Sequence, residues 1–326
     1  MKTKFLIIGS GLSGLMCGLE LSRRGEDYTV IDKQQSPPSA KLHYLHSDMS
    51  DFFPFRLREV DIIYNAFWKD EFVNNVSIEM MNRFAHITVG KIVQNSVKYI
   101  DGKIHKGWIP EVGMENLSDA IRSFNKGNFM IGTELLYLNT SDKIANTSSG
   151  AIEYEHVINT MPLPQLLKIN GVETNLEFKN EPLHMVNIQI PEEFYEDLWQ
   201  IIYFPAGDFG ISRLSILGKR VIVEKVRGED VELSDYGLWQ LLKRILPSLD
   251  IPMIESQIMF KHETNWFGRY VSVPEVPRLR ILQELRQKDI HCIGRYASWS
   301  YKRTDHTAKD IVKLLDNINN YGKEKI

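Results

Sequence analysis

Cysteine is almost missing from this chain: there are two among 326 residues, Cys17 and Cys292. Two thiols make neither a disulfide framework nor a cysteine-based metal site. Cys17 falls within the first expected helix, where a thiol packs as a small hydrophobe. A surplus of positive charge is also missing. The 39 Lys and Arg face 42 Asp and Glu, a net charge of −3, so there is no basic footprint for nucleic acid. No apolar run approaches the ~20 residues of a membrane-spanning helix. The N-terminus reads as a buried strand rather than a cleavable leader. Together these gaps predict a cytoplasmic protein. Internal repeats and low-complexity blocks are missing as well. What remains is an ordinary globular composition, 43% hydrophobic and 25% charged, at a length that suits two domains or one large one.

The most informative stretch is the first thirty-two residues. Phe5-Leu-Ile-Ile8 is a short continuous apolar run, as in a strand buried on both faces of a parallel sheet. Gly9-Ser-Gly-Leu-Ser-Gly14 follows at once. Leu15, Met16, Leu19 and Leu21 then predict a helix, which Gly25 ends. Tyr28-Thr-Val-Ile31 reads as a second strand with Asp32 at its end. This is a whole βαβ opening with the G-x-G-x-x-G spacing of a dinucleotide site. Gly9 makes the tight turn, Gly11 leaves room for a pyrophosphate, and Gly14 lets the helix pack closely on the sheet. The helix N-terminus, with Leu12 and Ser13 in its first turn, offers N–H groups and partial positive charge to phosphates. Asp32 accepts from ribose hydroxyls and repels a 2′-phosphate, with Lys33 beside it. The plain alternative is a glycine-rich turn without a ligand.

The middle of the chain is less legible. Ser36-Pro-Pro-Ser39 is a turn signal. Lys41-Leu-His-Tyr-Leu-His-Ser47 carries His43 and His46, a His-x-x-His pair with no third ligand at convincing spacing. We therefore expect no metal there, but a loop along a cofactor or a plain surface loop. Residues 53–100 are rich in aromatics, with short alternating segments from Phe72 to Ile100 that predict strands. Asp101-Gly102 is a hairpin-turn signal. Ser118 to Phe124 reads as a helix, Met130 to Leu138 and Ile152 to Ile158 as strands. Residues 183–190 and 199–226 are β-rich. Ser234 to Ile245 reads as a helix stopped by Pro247. Ile290 to Ile293 reads as a strand, and Ala308, Ile311, Val312, Leu315 and Ile318 mark a closing amphipathic helix. The tail from Tyr321 to Ile326 is polar and expected to fray.

Five further stretches add specificity. They are Gly294-Arg-Tyr-Ala-Ser-Trp-Ser-Tyr-Lys-Arg-Thr-Asp-His-Thr307, Tyr203-Phe-Pro-Ala-Gly-Asp-Phe-Gly-Ile-Ser-Arg213, Phe267-Gly-Arg-Tyr-Val-Ser-Val-Pro274, Val157-Ile-Asn-Thr-Met-Pro162 and Trp108-Ile-Pro-Glu-Val-Gly-Met114. With the N-terminus they resemble the FAD flavoprotein superfamily of UDP-galactopyranose mutase, protoporphyrinogen oxidase and the amine oxidases. The pattern is nearest to the mutases. The resemblance implies an α/β fold: a Rossmann-like FAD-binding domain of the glutathione-reductase type with an inserted β-rich substrate domain. It implies residues 1–50, 102–165 and 280–326 in the first and 51–101 and 166–279 in the second.

The resemblance also implies roles. Gly294, Arg295, Asp305, His306 and Thr307 belong to the segment that wraps the flavin ring and ribityl chain, and Arg295 contacts the ring or its phosphates. A helix starting near Asp305–Thr307 stabilises an anionic reduced flavin by its dipole, and Asp305 also caps it. Tyr203 lines the substrate pocket, Arg213 holds a substrate diphosphate with its two-point fork, and Tyr270, Trp299 and Tyr301 add aromatic walls. His43 or His46 stands where the mutases place a histidine by the flavin. Two departures weigh against a sugar-nucleotide substrate. The glycine pair usual after the second strand is replaced by Ser36 to His46, and the chain is short. The leading expectation is an FAD-dependent oxidoreductase acting on a small molecule or side group by amine or alcohol oxidation, with no protein group assigned as acid or base. The alternatives are a mutase-like reaction without net redox and a non-catalytic flavin-binding protein. The C-terminal stretch speaks against a nicotinamide dehydrogenase. Nothing in the sequence sets the oligomeric state.

Overall fold

The computed structural model describes residues 1–35, 43–69, 71–73, 75, 77–87, 100–101, 103–189, 198–206, 210–217, 220–225, 234–245 and 259–323. The Ser36–Ser39 turn, most of the Val97–Ile100 segment, the hairpin glycine Gly102 and the Pro247 stop lie outside the described residues.

The chain opens with β1 (Lys2–Ile8), α1 (Leu12–Arg23) and β2 (Tyr28–Asp32). There follow β3 (Leu57–Trp68), β4 (Glu71–Val73), α2 (Ile78–Ile87) and β5 (Ile104–Pro110). Next come α3 (Leu117–Ser123), β6 (Asn128–Ile131), β7 (Leu135–Asn139), β8 (Ile144–Thr147), β9 (Gly150–Asn159) and α4 (Leu163–Ile169). The remainder is β10 (Asn180–Gln189), β11 (Leu198–Tyr203), β12 (Ile211–Leu217), β13 (Arg220–Lys225), α5 (Asp235–Ile245), β14 (Met259–Tyr270), α6 (Glu275–Gln287), β15 (Ile290–Cys292) and α7 (Thr304–Lys323). Two compact units result. The first is Met1–Arg58, Trp108–Phe178 and Ser272–Ile326; the second is Glu59–Gly107 and Lys179–Val271.

The first unit is built on a seven-stranded sheet in the order β6-β2-β1-β9-β8-β7, with β15 also on β9. The pairs β6–β2, β2–β1, β1–β9 and β9–β15 are parallel, whereas β9–β8 and β8–β7 are antiparallel. The continuous apolar run of β1 is explained by this position: Phe5, Leu6, Ile7 and Ile8 are all buried, as central parallel strands require. Helix α1 buries Leu15, Met16, Cys17, Leu19 and Leu21 at 2% exposure or less, each worth roughly 1.5–3 kcal/mol against exposure for the larger side chains. It ends where glycine permits: Gly25 has φ +68°, and Glu26 N donates to Leu21 O at 3.0 Å, a left-handed C-terminal cap.

The second unit has an eight-stranded sheet in the order β14-β10-β13-β12-β11-β3-β4, with β5 on β3. Along the path from β14 to β4 it is antiparallel except for β11 against β3. Its core includes Val186, Ile188, Ile202, Phe204, Leu214, Ile216, Val221 and Val223, packed with Leu238, Leu241, Leu242 and Ile245 of α5.

Three expectations change. Met130 to Leu138 is two strands, because Gly132 turns the chain at φ +78° and Thr133 N donates to Asp32 O. Residues 78–87, expected within a run of strands, are helical. Ser77 caps them by accepting from Met80 N at 3.2 Å, with Glu79 in the first turn, a favourable helix start. Helices α4 and α6 were not foreseen. Both begin directly after a proline, Pro162 and Pro274.

Candidate functional site: the glycine turn and the segments around it

The site grows from the carboxyl ends of β1, β2 and β9, where ligands of open parallel sheets bind. Gly9 leaves β1 at φ +102°, a conformation open to glycine. A Cβ on Gly14 would fall 1.9 Å from the Gly9 carbonyl oxygen, so only glycine lets α1 sit this close to the turn. Gly11 occupies the N-cap, no side chain caps the helix, and its first turn carries no acid. Leu15 N donates to Gly11 O at 2.9 Å, which leaves the preceding N–H groups to face an anion. Leu12 and Ser13 are half-buried in this turn.

Asp32 is tied to the turn by a residue that sequence reasoning passed over. Ser10, fully buried, donates to Asp32 Oδ2 from its N–H at 2.7 Å and from its hydroxyl at 2.8 Å. Gln34 N donates to Oδ1 at 2.9 Å. A carboxylate has about four acceptor positions, so Asp32 is positioned by three bonds and keeps capacity for a hydroxyl. Lys33 beside it is exposed. Thr160, also unforeseen, donates from its hydroxyl to Ile8 O at 2.8 Å. Its Oγ1 lies where a Cβ on Gly9 would come within 2.6 Å.

The C-terminal segment arrives at the same place. Gly294, at φ +91°, has its Cα so close to α1 that a Cβ would lie 2.3 Å from Ser13 Oγ. Arg295 follows; its guanidinium lies 5.0 Å from the Tyr301 ring centroid, and its Nε donates to Lys302 O at 3.4 Å. At the start of α7, Arg303 forks onto Asp305 with bonds of 3.1 and 2.9 Å. Burial would raise the Asp305 carboxyl. The Arg303 bonds and charge, with smaller help from Ser47 and His306, outweigh it and hold the group below its ordinary value. His306 is exposed and Thr307 buried, the latter donating to Arg303 O at 3.1 Å.

Two other expected pieces meet here. Leu45 and Trp108 exchange backbone hydrogen bonds of 2.8 and 2.9 Å. This places the His43–His46 loop along the Trp108–Met114 segment. His43 is half-buried; His46 is exposed and meets Tyr44 edge-on at 4.6 Å.

The expected substrate residues fare differently. Trp299 is 1% exposed at φ +46° and packs edge-on against Phe178 at 5.2 Å, so it is a core ring rather than an open wall. Tyr203 is 5% exposed beside Tyr64 and Phe84, also a packed ring. Arg213 lies directly across from Tyr203, as the spacing implied, but its guanidinium is bonded to the buried Glu224 on β13. Its charge is thus met within the sheet by that carboxylate. Tyr270 closes β14 and is half-buried; Tyr301 is exposed.

The family described as FAD binding domain matches residues 2–52, the part that carries the glycine turn and Asp32. The fold is one that FAD-dependent proteins share. Solved structures agree over nearly the whole chain. An oxidoreductase from Methanosarcina mazei is similar at 13% identity and TM-score 0.57, over 97% of this chain and 100% of that one. The p-nitrophenol 4-monooxygenase PnpA from Pseudomonas putida gives 13% and 0.53, over 90% and 72%. L-proline dehydrogenase from P. horikoshii gives 15% and 0.50, over 84% and 82%. No curated protein matches the chain significantly. Among the described residues no helix is long and apolar enough to cross a membrane.

Proposed function

We propose that this flavoprotein is an FAD-dependent oxidoreductase that oxidises a small organic molecule at a carbon bearing nitrogen or oxygen. The observation that carries the reading is the approach of Gly294 to Ser13. It brings the segment expected at the ring to the helix expected at the phosphates. Gly9, Gly11, Leu12, Ser13 and Gly14 would hold the pyrophosphate, and Asp32 with Lys33 the adenosine end. Arg295, Asp305, His306 and Thr307, with His43 and His46, would lie on the flavin side.

Bound FAD supplies a two-electron acceptor and passes the electrons onward. The chain supplies position and charge. The Arg303–Asp305 fork neutralises the carboxylate at the head of α7. The helix then still presents partial positive charge to an electron-rich edge. Within the first unit, the exposed Tyr301 is the aromatic candidate for the substrate side, with Trp299 packed as support. Among the solved relatives, L-proline dehydrogenase bears an amine substrate in its name, which favours a carbon next to nitrogen. The Arg213–Glu224 pair counts against mutase chemistry on a nucleotide diphosphate.

The test is to load the purified protein with FAD and mix it anaerobically with panels of amines, amino acids and alcohols. Bleaching of the oxidised flavin band by one class, with flavin regained on adding oxygen or a dye, supports the proposal. Turnover of a sugar nucleotide only after dithionite reduction would replace it with the mutase reading. Tight FAD binding with no bleaching by any class would leave a non-catalytic flavin carrier, and a protein that refuses FAD would end the cofactor assignment.

A further inference from the structure

A second polar cluster sits in the first unit on a different part of the sheet. His156 lies on β9, His291 on β15, and Asp289 in the turn between α6 and β15. His156 is four residues before Thr160, roughly 13 Å along a strand from the glycine turn. The ladder pairs His291 with Ile158, and residues two apart on a strand share a face, so both imidazoles leave the same side of the sheet. Asp289 adopts φ +58°, which aspartate tolerates better than most residues. Its carbonyl accepts from Val157 N at 2.9 Å. This fixes the turn against β9.

One donor atom from each of the three residues lies within 4.8 Å of the others. The best-placed pair, His156 Nδ1 and Asp289 Oδ1, is 3.4 Å apart. That matches the edge of a tetrahedron with metal–ligand bonds of about 2.0–2.1 Å, roughly 3.3–3.4 Å. His291 is 8% exposed, and both its ring nitrogens are buried without a hydrogen-bond partner. The Nδ1 of His156 and the Tyr154 hydroxyl are also buried without one. Leaving a single buried polar atom unsatisfied costs about 1–3 kcal/mol, and here several lie together.

The surroundings fit a ligand role for the carboxylate. Lys143 Nζ donates to the other oxygen, Asp289 Oδ2, at 2.7 Å and to Glu155 O at 3.0 Å. Such an outer contact orients a ligating carboxylate and leaves Oδ1 turned to the histidines. The side chains of Asp289 and His156 are 37% and 21% exposed, so an ion can enter from solvent on that side. The positive charge of Lys143 opposes a cation, but its side chain is 42% exposed, so solvent screens it in part.

We propose that His156, Asp289 and His291 bind one divalent transition-metal ion, with zinc the best match to two imidazoles and a carboxylate, and water in the fourth position. The ion would clamp β9, β15 and the Asp289 turn, three segments brought together from residues 156 to 291. The sequence alone expected no metal, because these ligands are too far apart in the chain to form a spacing motif.

Untagged protein, stripped with EDTA and then exchanged into chelator-free buffer, is titrated with zinc in competition with a chromophoric chelator, without FAD. The expected result is one zinc per chain, a raised melting temperature, and tetrahedral absorption bands when cobalt replaces zinc. His291→Gln should weaken binding on the order of 100-fold. Asp289→Asn keeps the shape and suits φ +58°, so it should fold as the parent does while also losing affinity. The proposal fails if stripped protein takes up no stoichiometric zinc. It fails equally if Asp289→Asn and His291→Gln, with parental circular dichroism, bind zinc as tightly as the parent. FAD affinity is measured separately, so failure here leaves the flavin reading untouched.

Discussion

Replacing Gly14 with alanine tests the geometry of the glycine turn most sharply. On an exposed helix the change would stabilise by about 1 kcal/mol, because alanine is the better helix former. Here the added Cβ would fall 1.9 Å from the Gly9 carbonyl oxygen and 3.0 Å from its carbon. Ordinary contact begins near 3.4 Å, so the approach is about 1.5 Å too close. The obstructing atom is backbone, held by Gly9 N donating to Ile31 O at 2.8 Å and by Thr160. It cannot rotate away as a flexible side chain would. Helix α1 must therefore back off from β1 by more than an ångström. We expect a net destabilisation of roughly 2–4 kcal/mol and, on the proposed reading, at least a tenfold loss of FAD affinity, since the N–H groups proposed to face the phosphates move with the helix. Thermal melting and a flavin-fluorescence titration read the two effects. Gly25→Ala is the control: it has no neighbour within 4 Å but φ +68°, so it should lose about 1–2 kcal/mol and keep parental FAD affinity. Parental melting and affinity in Gly14→Ala would refute the close-packing argument. Equal loss of affinity in both variants would show that stability alone governs binding.

Two more expectations follow from charge. Asp305 sits below its ordinary value in the folded chain, so its contribution to stability is present at neutral pH and fades as pH falls through the folded value. Arg303→Ala removes the main lowering contact while burial remains. Its acid unfolding midpoint should move to higher pH, measured by circular dichroism against the parent; an unmoved midpoint would contradict the assignment. Glu224→Ala strips the partner from Arg213 inside the second sheet, where Glu224 is 3% exposed, and should destabilise by about 3 kcal/mol without lowering FAD affinity. A gain in affinity for nucleotide diphosphates in that variant would reopen the mutase reading.

What the sequence made legible was whatever depends on local pattern. The βαβ opening, the end of α1 at Gly25 and the closing helix α7 each follow from contiguous residues. So does the proximity of Tyr203 and Arg213, because the hairpin register fixes it. What stayed hidden depends on partners far away. Glu224 claims Arg213 from the next strand. Trp299 reads as a free aromatic until Phe178 is seen against it. Ser10 and Thr160 look unremarkable in sequence, yet they anchor the acid and the turn. The helix α2 was masked by aromatic alternation around it, although Ser77 and Glu79 carried a start signal.

The order of strands in the first sheet also bears on how the chain is made. β1 is flanked by β2, close in sequence, and by β9, whose paired residues Glu153 to Asn159 lie about 150 positions further along the chain. β15 completes the other side of β9 from Ile290 to Cys292. Contacts so distant along the chain form slowly and leave apolar strands waiting. β1 is therefore made well before the strand that covers its other side, and β9 itself waits longer still for β15. Any transcript cut short before residue 290 would yield a polypeptide with an exposed β9 edge and no Gly294 to lay against the first helix, a product for chaperones and proteases rather than a smaller working enzyme.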